Sequence, residues 1–227
     1  MRLWGYNKTM KTNTLNFCNN LKKDLPPIFS VSDILPLIKD TYLAPQKKLN
    51  HLEKNGFLKK IYRGFYSFDD SYNRMMVANT LHSPSYISYE SALGFYGMIP
   101  EKVEMVFSVT QSKPLRIKTT FGDLAYRSQS TELYAAGMSL MFVDNNPILI
   151  ASKEKALLDA LAQHKLKASG VVEKEIYEYV VEGMRIEVDE LFSLSMIKLK
   201  KLAYLYRNFA PRKLVNHISQ LKKAKPK

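Results

Sequence analysis

The amino-acid sequence predicts an α+β protein, and three features of its 227 residues carry that prediction. Residues 44–68 are typical of a short basic helix followed at once by a two-stranded hairpin. Residues 74–150 mix helical spacing with short runs of branched and aromatic residues that favour strands. Residues 195–227 return to helical spacing. We therefore expect two domains: residues 1–74, and a mixed α/β domain with a helical C-terminus over residues 75–227.

The basic helix is bounded by local signals at both ends. Pro45 suits a first helical turn, where its missing N–H is not needed, and Gly56 supplies a left-handed stop. Leu49 and Leu52 repeat at helical spacing and are expected to face the core. The other side of the helix is polar and basic, and consists of Gln46, Lys47, Asn50, His51 and Lys54.

Two short segments rich in branched and aromatic residues follow the helix, at residues 58–61 and 65–68. Between them lies the three-residue connection 62–64, in which Gly64 supplies the positive φ that such a turn needs. Upstream of the basic helix, Ser32 is the expected N-cap of a short helix that Pro36 interrupts. Helix, turn, helix and hairpin in this order predict a winged helix-turn-helix.

In a helix-turn-helix protein the second helix lies in the major groove, where its N-terminal residues reach base edges. The hairpin then lies against phosphates or the minor groove. The predicted DNA-binding residues are therefore Gln46, Lys47, Asn50, His51, Lys54, Lys59, Lys60 and Arg63. A basic helix face is more commonly a solvated surface, but charge, amide side chains and a hairpin within 25 residues favour DNA binding.

The overall charge agrees with an anionic partner. The chain carries 34 Lys and Arg against 21 Asp and Glu, a net charge of +13, and its isoelectric point is near 9.6. A charge of this sign and size favours nucleic acid or a membrane surface. No apolar run long enough to span a membrane and no signal peptide is found, so we expect a cytoplasmic protein without a membrane partner.

The second domain is expected to contain strands at residues 103–110, 115–120, 122–127, 140–143 and 148–150. Helices are expected at residues 74–81 and 88–96, and a further helix capped by Ser152. Asp159 lies on a largely apolar turn of that last helix. A buried carboxylate needs a partner such as an Arg or a backbone N–H, and a structural ion pair is the ordinary explanation.

The C-terminal end is a second basic element. Residues 195–227 contain ten Lys or Arg and no Asp or Glu, and their leucines predict two amphipathic helices separated at Pro211. The basic residues expected to face outward include Lys198, Lys201, Arg207, Arg212 and Lys213. A solvated helix face remains the alternative interpretation of this segment.

Several motifs resemble one known family when taken in order. They are G-F-L at 56–58, Y-R-G-F-Y at 62–66, Y-I-S-Y-E-S-A-L at 86–93, G-M-I-P at 97–100, V-F-S-V-T at 106–110, T-F-G at 120–122, Y-R at 126–127 and I-A-S-K-E-K-A-L-L-D at 150–159. Together they resemble the AbiEi family, the antitoxins and transcriptional regulators of type IV bacterial toxin–antitoxin systems.

The resemblance implies a winged helix that represses its own operon by binding repeats in double-stranded promoter DNA. It further implies a C-terminal domain that counteracts a nucleotidyltransferase-like toxin without forming a stable complex with it. On this resemblance, the candidates for an antitoxin surface are Lys198, Lys201, Arg207, Arg212 and Lys213. No catalytic residue, cofactor or metal ligand is expected. A stand-alone winged-helix regulator without a toxin is the first alternative.

Two other classes of function compete with a regulator. A metal-dependent nuclease would use convergent carboxylates, for which Glu104 and Asp123 with nearby Lys118 are the candidates, although the usual carboxylate-x-Lys triplet is missing. A pure interaction module would use the tyrosine-rich segment around Tyr89 and Tyr96 as a binding surface. Helical spacing of aromatic residues more often indicates core packing.

Overall fold

The computed structural model describes residues 2–69, 72–119, 122–164 and 172–224, with side chains from residue 13 onward. It has the mixed α+β architecture that the sequence predicts. By its internal contacts the chain divides into two compact units, Met1–Leu81 and His82–Lys227. The predicted boundary after residue 74 lies at the start of the helix that ends the first unit.

The described part of the first unit contains four helices and three short strands. In chain order they are α1 (Arg2–Asp24), β1 (Phe29–Ser30), α2 (Val31–Lys39), α3 (Pro45–Lys54), β2 (Lys59–Tyr62), β3 (Phe65–Ser67) and α4 (Arg74–Leu81). The strands form an antiparallel sheet in the order β1-β3-β2. The core beneath them draws on α1, α2, α3 and the sheet, and its buried members are Cys18, Leu21, Phe29, Ile34, Ile38, Leu49, Leu52, Leu58 and Tyr66.

The N-cap of α2 is Ser30, so the prediction of Ser32 is wrong. The Ser30 hydroxyl accepts a hydrogen bond from the Asp33 backbone N–H, and the Asp33 carboxylate accepts one from the Ser30 N–H at 2.7 Å. This reciprocal pair is a capping box, which satisfies two backbone donors that a helix start leaves free. Asp33 at the third helical position therefore fixes the start two residues earlier than expected.

Pro36 does not interrupt α2, which continues to Lys39. A proline inside a helix removes one backbone hydrogen bond and crowds the preceding turn. Here Ile34 and Ile38, on either side of it, have no exposed area and belong to the core. The burial of these side chains offsets the local cost, so the helix persists through the proline.

The hairpin connection is two residues long instead of three. Tyr62 is paired with Phe65 in the strand ladder, which leaves only Arg63 and Gly64 in the turn. Gly64 has φ of 75° and Gly56, after α3, has φ of 72°, so both glycines have the left-handed conformation that the sequence predicts. A register shift between Lys60 and Tyr62 marks a bulge in β2.

The second unit is a six-stranded sheet with helices. Its described elements are β4 (Ser85–Ile87), α5 (Tyr89–Phe95), β5 (Val106–Thr110), β6 (Leu115–Thr119), β7 (Gly122–Ser128), α6 (Thr131–Ala135), β8 (Met138–Val143), β9 (Asn146–Ala151), α7 (Lys153–Gln163), α8 (Glu173–Glu178), a π-helix (Tyr179–Gly183), α9 (Val188–Ser193), α10 (Met196–Ala203) and α11 (Ala210–Ala224). Thr120, where a predicted strand ends, lies outside the described residues.

The sheet is mixed, with strands in the order β6-β7-β5-β4-β9-β8. Its parallel pairs are β4 with β9 and β5 with β7, and the other neighbouring strands are antiparallel. Helix α7 packs against α5, α10 and α11, and α8 packs against α11. None of the helices in the described ranges is long and apolar enough to cross a bilayer.

Candidate nucleic-acid interface

Helix α3 presents an exposed polar face of five side chains, which we call the α3 face. Its members are Gln46, Lys47, Asn50, His51 and Lys54, and all five are exposed. They recur every three or four residues, so they lie on one side of the helix. Leu49 and Leu52 on the other side have no exposed area and are part of the core. The buried leucines therefore fix which side of the helix faces solvent.

The remaining charges of α3 contact the body of the first unit. Lys48 is half-buried, and its Nζ lies 4.4 Å from the ring centre of Tyr42 and 5.2 Å from that of Phe17. These distances are within the range of a cation–π interaction. Glu53, also half-buried, accepts a hydrogen bond of 3.4 Å from the Tyr66 hydroxyl. Because Glu53 lies off the α3 face, the face itself holds no acidic residue.

Hydrogen bonds orient parts of the α3 face. The Gln46 side-chain amide donates to the Asn50 side-chain oxygen at 3.4 Å. At the end of the helix, the Asn55 amide donates to the His51 carbonyl at 2.8 Å and lies 3.3 Å from His51 Nδ1. The His51 carbonyl also accepts the Asn55 backbone N–H at 3.1 Å, so Asn55 contacts His51 through both its backbone and its side chain and holds the His51 ring against the last turn.

The hairpin residues predicted to bind DNA are also exposed. Lys59 and Lys60 are successive residues of β2, so their side chains leave opposite faces of the strand. Arg63 lies in the turn itself. Four residues, 55–58, connect α3 to β2, so the α3 face and the hairpin are consecutive elements of one unit.

The basic C-terminal residues separate into two groups. Lys198 and Lys201 on α10 and Arg207 after it are exposed, whereas Arg212 and Lys213 on α11 are half-buried. The Arg212 guanidinium donates to the Tyr206 carbonyl at 3.3 Å and lies 5.1 Å from the centre of the Phe209 ring. Arg212 is thus engaged in packing, and both Arg212 and Lys213 are less exposed than the outward-facing positions that the sequence predicts. Both residues lie on α11, which packs against α7, α8 and α10 of the same unit.

A buried polar cluster surrounds Asp159 in the second unit. Asp159 Oδ2 accepts a hydrogen bond of 2.6 Å from Ser88, and its Oδ1 accepts from Gln129 at 2.6 Å, Tyr206 at 2.6 Å and Lys155 at 2.5 Å. The Lys155 and Asp159 side chains have no exposed area. The expected structural ion pair is present, with Lys155 as the partner.

Burial shifts the pKa values of two residues in the cluster, Lys155 and Tyr206. It lowers the pKa of Lys155, an effect that the Asp159 charge opposes. Burial also raises the pKa of Tyr206 well above its ordinary value, and the nearby Asp159 charge adds to that rise. The cluster residues Gln129, Asp159 and Tyr206 border a cavity of about 720 Å³, with Arg207 and Asn208 at its edge. Gln129, Lys155, Asp159 and Tyr206 are already hydrogen-bonded to one another, which is typical of a structural network.

Glu104 and Asp123, the carboxylates considered for a metal-dependent nuclease, do not belong to a metal-binding group among the described residues. Glu104 precedes β5 and is outside any strand, while Asp123 on β7 is directly opposite Lys118 on β6. Among the described residues, no group of three or more His, Cys, Asp or Glu side chains is arranged to hold a metal ion.

Comparison with known proteins identifies a similar fold and no family. No family model matches the chain, and no curated protein matches it. Among solved structures, the chain is similar to the Rv2827c protein from Mycobacterium tuberculosis, with a TM-score of 0.56 and 12% sequence identity. The match covers 90% of this chain and 75% of that one. At this identity the likeness concerns the fold alone.

Proposed function

We propose that the chain is a DNA-binding transcriptional autorepressor and antitoxin of the AbiEi type, acting against a nucleotidyltransferase-like toxin. We further propose that its first unit is a winged helix, with α2 and α3 as the helix-turn-helix and the β2–β3 hairpin as the wing. The order of these elements and the antiparallel β1-β3-β2 sheet support that assignment. The partner is double-stranded promoter DNA.

The observation that carries the proposal is the α3 face. Five polar or basic side chains on one side of a short helix are exposed, while both leucines on the other side are fully buried. A helix anchored in this way presents a fixed set of donors and acceptors. That is the requirement for reading base edges in the major groove, which is wide enough to admit an α-helix.

The residue types on the α3 face and in the hairpin suggest two different roles, base recognition and phosphate contact. Asn and Gln side chains pair with adenine through two hydrogen bonds, so Gln46 and Asn50 are the proposed base readers. Lys47, Lys54 and Arg63 are the proposed phosphate contacts, which position the protein without specifying sequence. The net charge of +13 adds long-range attraction to DNA.

The proposed antitoxin surface is narrower than the sequence suggested. Lys198, Lys201 and Arg207 are exposed and are available to a partner, whereas Arg212 and Lys213 are partly used in packing. We therefore assign the antitoxin role to the first three. This part of the proposal rests on the family resemblance and on the exposure of these three residues.

A binding titration on the chain's own promoter tests the DNA-binding proposal. Lys47→Ala and Arg63→Ala are each expected to weaken binding to all sequences and to reduce the slope of log affinity against log salt by about one. Asn50→Ala is expected to cost about 1–3 kcal/mol at one base position and to relax specificity there.

Lys48→Ala is the matched control, because it removes the same charge from the same helix but off the α3 face. It should leave the salt slope almost unchanged. If Lys47→Ala, Arg63→Ala and Asn50→Ala all bind the promoter like the unmodified chain, the α3 face is not the DNA-binding surface. Equal effects of Lys47→Ala and Lys48→Ala would mean that only net charge matters.

A further inference from the structure

The two edges of the six-stranded sheet differ in their protection. Strand β6 forms one edge and carries the exposed basic residues Arg116 and Lys118. Strand β8 forms the other edge, with the sequence Met-Ser-Leu-Met-Phe-Val, and has β9 as its one neighbour among the described strands. Natural sheets protect exposed edges with charges, prolines or bulges, because an open edge pairs readily with another strand. β8 has no charge and no proline, and its pairing with β9 has no register shift.

One face of β8 is apolar and open to solvent. Met138, Leu140 and Phe142 alternate along the strand, so they lie on the same face. Their exposed fractions are 38%, 56% and 68%. A fully exposed Phe side chain presents about 150–250 Å². The three side chains together thus expose on the order of 300 Å² of apolar surface, a patch size that often marks an interaction site on a monomer.

The charge around β8 favours a second copy of the same chain as the occupant. Residues 128–152 contain no Lys or Arg, although 34 of the 227 residues are basic. Two copies with a net charge of +13 each repel one another over most of their surface. Residues 128–152 add no positive charge to that repulsion, and their acidic residues are limited to Glu132 and Asp144.

We propose that β8 pairs with β8 of a second copy, antiparallel about a two-fold axis, to form a homodimer. A strand with no charge is complementary to itself in this arrangement, and a two-fold interface uses the same patch on both copies. A register centred on Leu140 places Met138 opposite the partner's Phe142, so that the apolar side chains of the two copies meet on one face. The two six-stranded sheets become one continuous sheet.

The size of this contact predicts a weak dimer. Strand pairing plus a patch of this area falls in the small class of interfaces, below about 1,200 Å² in total, to which transient complexes belong. We therefore expect monomers and dimers to exchange, with a dissociation constant in the micromolar range. This inference concerns self-association and does not depend on the proposed DNA binding.

Sedimentation equilibrium of the full chain at high salt, over a range of concentrations, tests the dimer. The average mass is expected to rise from 26.1 kDa toward twice that value. Leu140→Lys and Phe142→Lys are each expected to keep the chain monomeric, because they place a charge on the edge. Ile197→Lys is the matched control: Ile197 is 83% exposed on α10, and its replacement should leave dimerisation unchanged.

A chain that stays monomeric at every concentration would overturn the proposal, and so would a dimer that survives both β8 substitutions. Circular dichroism establishes that each variant is folded. If both β8 variants unfold, hydrogen exchange on the unmodified chain decides the matter. The β8 amides must then become protected as concentration rises, and unchanged exchange in β8 would reject the interface.

Discussion

Lys155 donates to Asp159 one helical turn later in α7 at a distance of 2.5 Å, and neither side chain has any exposed area. Three other residues also donate hydrogen bonds to the Asp159 carboxylate: Ser88 at the start of α5, Gln129 after β7 and Tyr206 after α10. The pair therefore links four separate parts of the second unit. Its role is to hold α7 in one position against the sheet and the C-terminal helices.

Removal of Lys155 is expected to destabilise the second unit strongly. Lys155→Met keeps the apolar stem but leaves the Asp159 charge buried without its cation, a change that typically costs about 3–5 kcal/mol. The double variant Lys155→Met with Asp159→Leu should recover part of that loss, because no charge then remains buried. Urea unfolding followed by circular dichroism measures both effects.

Lys153→Met, two residues earlier on the same helix, is the control for Lys155→Met. Lys153 pairs with Glu190 at 3.0 Å, but both side chains are more than a third exposed. An exposed pair contributes no more than about 1 kcal/mol. Equal losses of stability for Lys153→Met and Lys155→Met would contradict the structural role assigned to the buried pair.

Alkaline pH is expected to destabilise the second unit. Burial raises the pKa of Tyr86, Tyr89, Tyr126 and Tyr206, and the Asp159 charge adds to the rise for all but Tyr126. Above pH 10, the unfolded chain releases these protons while the folded chain keeps them. Stability then falls with rising pH, by about 1.4 kcal/mol per pH unit for each tyrosine. The pKa of Lys155 is lowered from 10.5, so this residue makes stability rise with pH, but only up to that ordinary value. Above it, the four tyrosines determine how stability changes with pH.

The absorbance of tyrosinate, recorded during alkaline titration, measures this behaviour. The buried tyrosines should ionise only together with unfolding, in one cooperative step. Tyr126→Phe should reduce the pH dependence of stability in the alkaline range by about the contribution of one tyrosine. Tyr204→Phe replaces a ring that is 75% exposed and should leave that dependence unchanged. A gradual ionisation of every tyrosine without unfolding would contradict the prediction.

Helix α3 was predictable from sequence because its signals are local. Pro45 at the start, two leucines at helical spacing and Gly56 at the end lie within 12 residues. The strands β1 and β4 were not predicted, since they are two and three residues long and are defined by partners elsewhere in the chain. Phe29 pairs with Tyr66, and Ile87 pairs with both Ser108 and Ile150. No pattern within three residues encodes such pairings.

The same distinction applies to the sites. Exposure of all eight predicted DNA-binding residues follows from spacing and charge, which are local properties. For Asp159, the partner Lys155 is four residues away, and this spacing alone indicates a helical ion pair. Ser88, Gln129 and Tyr206 are 71, 30 and 47 residues away from Asp159. Only the fold brings them to one carboxylate, so no sequence pattern identifies them.

The N-cap of α2 gives a test of local stability. Ser30→Ala removes the hydroxyl that accepts from the Asp33 N–H, and loss of such a cap typically costs about 1 kcal/mol. Ser32→Ala removes a hydroxyl from the first turn of the same helix that does not cap it. We expect an effect within about 0.5 kcal/mol for Ser32→Ala. Thermal unfolding of the two variants compares them, and a larger loss for Ser32→Ala would mean that α2 begins later.

Charge reversal on the C-terminal surface is expected to separate the two proposed activities. Lys198, Lys201 and Arg207, all changed to Glu, should spare promoter binding by the α3 face but impair neutralisation of the toxin in cells. Each change replaces a positive charge with a negative one and so lowers the net charge by two. The three changes together lower it by six, from +13 to +7. Lys102, Lys113 and Arg116, which are also exposed, changed to Glu give a control of identical net charge. Growth of cells that express a nucleotidyltransferase-like toxin of the proposed kind, together with promoter-binding affinity, measures both activities. If the first triple variant neutralises the toxin fully, the C-terminal surface does not have the assigned role. If both triple variants fail equally, only the net charge matters for neutralisation.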